Sequence, residues 1–144
     1  MKLLLGSLLY LFLSPIIWME NFNEAKKQAV ELHRPILINF SGSDWCGPCI
    51  RLRKEILETE AFEKYAAEHL ILVRADFPRQ KKNRLSDEQI KLNEELAEQF
   101  NPDGKFPLTV LTDENGKVIR TWDGFPNEGT EAFTKQISNS LSKH

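Results

Sequence analysis

The chain has 144 residues, enough for one domain with its own apolar core and too few for two of ordinary size. Its 19 Lys+Arg and 21 Asp+Glu are interleaved and sum to a net charge of −2, which excludes the strong basic field that gathers nucleic acid. No nucleic-acid partner is therefore expected.

Residues 1–15 carry one cation, Lys2, then an uncharged apolar run from Leu3 to Leu13 that ends near Pro15. The run is shorter than the roughly 20 residues needed to span a bilayer, and the pattern is that of an export signal. No Ala-x-Ala site follows it, the nearest small residues being Gly6, Ser7 and Ser14. Removal as a signal peptide and retention as an N-terminal anchor, tethering the protein to a membrane, both stay open. The competing reading is a buried first element of a cytoplasmic domain. Export places the protein in the periplasm or at the outer face of the membrane, with residues 16–144 as the folded domain.

Phe22, Ala25, Ala29, Val30 and Leu32 recur at helical spacing among charged residues, which predicts an amphipathic helix over 21–32, stopped at His33-Arg34-Pro35. Ile36 to Phe40 is a short run of strand formers interrupted by Asn39 and bounded by Pro35 and Ser41-Gly42. It leads directly to the only cysteines, Cys46 and Cys49, in the sequence Trp45-Cys46-Gly47-Pro48-Cys49. Helical periodicity resumes from Cys49 to Leu57, and Pro48 suits the first turn, where its missing N–H costs little. Thr59 is placed to cap a further helix through Phe62, Tyr65 and Ala66, and Leu70 to Asp76 follows as a buried-type strand.

Phe77 to Leu85 is a basic, irregular connection. Ser86-Asp87-Glu88-Gln89 has the form of a capping box and opens a helix through Phe100. After Asn101-Pro102-Asp103-Gly104, a strand runs from Phe106 to Thr112, and Asn115-Gly116 turns the chain into a second strand, 117–122. A last helix covers about 129–141. Strands alternating with helices, closed by a hairpin and a helix, make an α/β sandwich with a mixed sheet.

Two thiols separated by two residues close a small disulfide ring. Such a ring constrains few unfolded conformations, so it stabilises less than the ~3 kcal/mol of a 15-residue loop and is better suited to opening and closing than to stapling. At a helix N-terminus the free N–H groups and the dipole favour thiolate over thiol. The chemical rival is a zinc site, which needs four ligands; besides the cysteines the chain offers only His33, His69 and His144, none paired at metal spacing. No metal is expected.

With these motifs in this order, the chain resembles the thioredoxin superfamily from about Trp18 to Leu141, and is most similar to its exported bacterial members. The resemblance rests on Trp45 to Cys49 at a strand-to-helix turn, Phe106-Pro107 opening a later strand, and the Asn-Gly hairpin; the likeness to exported members rests on the longer run Phe40 to Cys49 with Asp76-Phe77-Pro78 downstream. It implies a three-layer sandwich, a mixed central sheet flanked by helices with a C-terminal hairpin and helix. It further implies a protein-disulfide reductase or isomerase that uses no cofactor beyond the Cys46–Cys49 disulfide. Cys46 is then the exposed nucleophile, Cys49 the buried resolving thiol, and Pro107 a cis-proline beside the disulfide whose neighbour Phe106 pairs with the substrate chain. Trp45 shapes the substrate surface or shields the thiol. Partners implied are protein disulfides and a membrane or soluble thiol reductant as electron donor. Gly47-Pro48 is similar to the reducing members, since strongly oxidising ones carry a His there.

One departure concerns a buried aspartate that thioredoxins carry on the strand before the motif. The corresponding position is Asn39, and an amide is no general base. Asp44 reads as capping or solvating the loop rather than as a base; Arg51, Arg53 and Lys54 read as a solvated helix face; Trp18 and Trp122 read as core. The basic connection 77–85 is a solvated loop or a substrate-docking element. The alternative at the level of function is a binding or chaperone-like module with little redox turnover.

Overall fold

The computed structural model describes residues 15–144. The predicted export segment, residues 1–15, lies outside the described residues except for Pro15. Among the described residues no helix is long and apolar enough to cross a membrane.

The sheet consists of β1 (Trp18–Met19), β2 (Ile36–Ser41), β3 (Ile71–Asp76), β4 (Leu108–Thr112) and β5 (Val118–Asp123), in the order β1-β3-β2-β4-β5. β1 and β2 each pair in parallel with β3, while β4 runs antiparallel between β2 and β5. The mixed sheet and C-terminal hairpin are thus those predicted. The two-residue β1 has no counterpart in the sequence reading, because two residues carry no periodicity. It gives the sheet an edge strand and holds Trp18 half-buried, with the Arg74 guanidinium 4.2 Å from its ring.

β2 is central and every one of its residues is buried. Its alternation sends Ile36, Ile38 and Phe40 into one core and Leu37 into the other. The first core lies under α1 (Phe22–Leu32) and α4 (Asp87–Phe100), which contribute Ala25, Ala29 and Leu96. Val30 and Leu32, which the periodicity assigns to the apolar face of α1, are about half exposed; the small Ala25 and Ala29 form the contact. The second core lies under α2 (Gly47–Leu52), α3 (Glu60–His69) and α5 (Thr130–Leu141), and joins Leu52, Phe62, Trp122, Phe133 and Ile137.

The helix predicted through Leu57 changes form part-way. After α2 the chain makes one π-helical turn over Arg53–Leu57, closed by a Glu58 N–H to Arg53 carbonyl bond of 2.8 Å. The wider turn brings both Ile56 and Leu57 into the core, where they are 0% and 1% exposed. Thr59 caps α3 as expected, accepting from Phe62 N–H at 3.3 Å. Ser86 caps α4 by accepting from Gln89 N–H at 3.1 Å. The reciprocal half of that box is absent: the Gln89 amide donates instead to the Glu20 carbonyl and to Asn93 Oδ1. Tertiary partners win over the local one.

Candidate active site

Cys46 is the N-cap of α2, and its Sγ accepts from the Cys49 N–H at 3.3 Å. Gly47 and Pro48 fill the first two helical positions, and the two sulfurs are joined in a disulfide with Cα atoms 5.2 Å apart. Cys49 also accepts from the Gly42 N–H at 3.5 Å. The expectation of an exposed Cys46 is corrected here: Cys46 is 5% exposed and Cys49 3%, while Gly47 and Pro48 form the exposed skin. The reason is the cap itself. A sulfur turned inward to receive the Cys49 N–H is not presented to solvent.

The turn before the cysteines is fixed from both sides. Gly42 carbonyl accepts from Trp45 N–H and Cys46 N–H, and a Cβ at Gly42 would overlap the Trp45 indole. Trp45 donates its Nε1–H to the Phe77 carbonyl at 2.7 Å and lies 3.6 Å beneath the Arg79 guanidinium. Asp44 accepts from the N–H groups of Arg79 and Gln80, both at 2.9 Å, and from the Asn83 amide at 3.0 Å. The Arg79 N–H and the Asn83 amide hold its carboxyl below the usual range. Asp44 is therefore a cap, of a loop distant in sequence. Asp76, at the end of β3, accepts from Ser43 N–H, Ser43 hydroxyl and Phe77 N–H and ties the same turn to the sheet.

The Phe106–Pro107 peptide bond is cis. Phe106 packs edge-on against Trp45 and Phe77, with ring centroids 5.5 and 5.3 Å apart, and buried Pro107 leads into β4. Asn39 pairs in register with Thr109 of β4 and is 3% exposed, and its Nδ2 donates to Thr109 Oγ1 at 3.2 Å. By alternation it faces the side of Leu37, the side α2 covers.

Arg51 and Lys54 are exposed, as the solvated-face reading has it. Arg53 is different: it joins Cys49, Ser43, Arg74 and Asp76 in lining a cavity of about 270 Å³ and pairs with Glu58 at 3.4 Å. Burial and the nearby Arg53 charge lower the Arg74 pKa from its usual value. The sequence places Gly42 and Ser43 in the run that leads to the cysteines, but nothing in it beyond the close spacing of small residues before Trp45 points to their part in holding the turn. Among the described residues no group of three or more His, Cys, Asp or Glu is placed to hold a metal.

A family model described as thioredoxin-like matches residues 17–113. The chain belongs to the thioredoxin-like family. It is 36% identical over 122 residues to the disulfide bond reductase DsbH of Chlamydia pneumoniae, covering 85% of this chain and 71% of that protein. Against the thioredoxin-related protein DsbJ of Chlamydia pneumoniae the identity is 32% over 114 residues, covering 78% of this chain and 32% of that protein. The solved structure of a DsbH oxidoreductase matches with a TM-score of 0.82 at 30% identity, over 100% of this chain and 96% of that one. The predicted fold and family are thereby established. The chain is a protein thiol–disulfide oxidoreductase of this thioredoxin-like family, and its redox group is a disulfide rather than an external cofactor.

Proposed function

We propose that the protein reduces or isomerises disulfides of exported proteins, with Cys46 as nucleophile and Cys49 as resolving thiol. The observation that carries this reading is the Cys46 sulfur at the N-cap of α2, accepting from the Cys49 N–H. In the reduced protein the same N–H groups and the helix dipole stabilise a Cys46 thiolate. The thiolate attacks one sulfur of a substrate disulfide, forming a mixed disulfide and expelling a substrate thiolate, which takes up a proton. Cys49 then loses its proton and attacks Cys46 Sγ; the second substrate thiolate leaves, and the Cys46–Cys49 disulfide remains. The protein has lost two electrons, and a membrane or soluble thiol reductant restores them.

Phe106, beside cis-Pro107, offers its backbone to the substrate chain, and Trp45 with Phe106 forms the apolar floor. Gly47-Pro48 between the cysteines supports the reducing direction, as does the likeness to the disulfide bond reductase DsbH. Export to the periplasm or the outer face of the membrane fits the composition of residues 1–15.

The test is insulin reduction by dithiothreitol. Wild type accelerates it and Cys46→Ser does not; a binding module shows no cysteine-dependent rate. Cys49→Ser accumulates substrate linked to Cys46, and an empty trap counts against the mechanism. The reduction potential is expected well below the ~−120 mV of a strong oxidant, and a value near that figure reverses the direction.

A further inference from the structure

The connection 77–85 carries Arg79, Lys81, Lys82 and Arg84 and no acidic residue, in a chain of net charge −2. Among the described residues only Arg84 of these has an ion-pair partner, Asp87 at 2.8 Å. Lys81 and Lys82 are exposed on a single 3₁₀ turn, Lys81–Asn83. That turn is bound to the cysteine turn rather than projecting freely. Asp44 receives the N–H groups of Arg79 and Gln80 and the amide of Asn83, and Trp45 holds the Phe77 carbonyl. Both anchors immediately precede Cys46. Phe77 also packs on Phe106, next to cis-Pro107. Basic turn, disulfide and cis-proline segment therefore share one surface.

We propose that residues 77–85 dock acidic segments flanking the disulfide of a substrate protein. The inference rests on the oxidoreductase reading above and names the substrate class of that same site. Exposed cations contribute little singly, but a cluster fixed beside a reaction centre steers encounter of a complementary chain. The gain belongs in the association rate and fades as salt screens it. An anionic membrane on the same turn would cover Gly47-Pro48 and close the disulfide to proteins, so a protein segment is the fitting occupant.

The test uses the reduced protein and disulfide-bridged peptides identical except for flanking Asp, Ser or Lys, with oxidation followed by stopped-flow tryptophan fluorescence. At low salt the Asp peptide is expected to react about tenfold faster than the Ser peptide, the lower end of electrostatic steering. Added salt narrows the ratio, and Lys81→Gln/Lys82→Gln brings it towards one. Lys81→Glu/Lys82→Glu transfers the preference to the Lys peptide. Equal wild-type rates for all peptides overturn the proposal, as does an acidic preference that survives charge reversal. Lysine-dependent binding to phosphatidylglycerol vesicles without any peptide preference also overturns it, assigning the turn to a membrane. A Ser peptide left unreduced by wild type instead refutes the oxidoreductase reading beneath it.

Discussion

Asn39 shows how one atom type sets a proton route. Its amide is buried beneath the side of the sheet that carries α2 and is satisfied by Thr109 Oγ1 at 3.2 Å. It holds no exchangeable charge for the resolving thiol. Asn39→Asp introduces a carboxyl whose charged form burial disfavours, so its folded pKa lies above the ordinary ~3.9. A raised folded pKa means that the carboxyl costs nothing extra below the unfolded value and destabilises increasingly as pH rises through the folded one. The urea midpoint of Asn39→Asp should match wild type near pH 3.9 or below and fall behind it towards neutrality, as a rough expectation. With Cys49 intact, the mixed disulfide on Cys46 should resolve faster in Asn39→Asp than in wild type, and with a weaker dependence on pH. A midpoint deficit equal at every pH, or an unaltered lifetime, sinks this account. The importance of position 39 comes from the resemblance, which puts an aspartate there; the residue pattern alone shows only an amide interrupting an apolar run. Its partner is not legible, since Thr109 is 70 residues away and only the β2–β4 register joins them.

At the scale of elements, the connection between β3 and α4 gains its order from Asp44 rather than from its own sequence. Hydrogen bonding lowers the Asp44 pKa, so the restraint is complete above the unfolded value and is lost only as pH falls through the lowered one. Asp44→Ala should accelerate amide exchange at Arg79 and Gln80 and open the chain to trypsin after Lys81 and Lys82. In wild type the same amides should stay protected from neutral pH down through the ordinary aspartate range. Unchanged exchange in Asp44→Ala would show that Trp45 and Arg79 hold the turn unaided. The preference of Asp for caps marks Asp44 from sequence alone, but the groups that donate to it lie 35 to 39 residues downstream. The same limit governs the π turn. Cys49 to Leu57 has helical periodicity, and the adjacent Ile56 and Leu57 signal nothing until the second core is present to receive both. Local patterns locate elements; their distortions come from what packs against them.

The whole molecule is one sheet between two apolar cores, and the redox helix belongs to the core that α5 closes. Phe133 lies there, 1% exposed, with ring centroids 6.1 Å from Phe62 and 5.2 Å from Trp122. Phe133→Ala removes the contact joining α3, β5 and α5 and should cost about 3–5 kcal/mol in urea unfolding. A loss under about 1 kcal/mol would mean that the surrounding side chains close the gap left by the ring.

The parallel pairing of β1, β2 and β3 also gives the molecule a top and a bottom. Pro15 and Ile16 leave from the starting end of the strands, beside Leu70 and Ile71, while Cys46 and the basic turn follow their finishing ends. If residues 1–15 hold the chain to a bilayer, the disulfide points outward like the head of a stalk, with the length of the strands between it and the lipid. Substrates would then arrive from the aqueous side. An electron donor resident in that bilayer would need a domain tall enough to reach over the protein, or the protein would have to bow towards it.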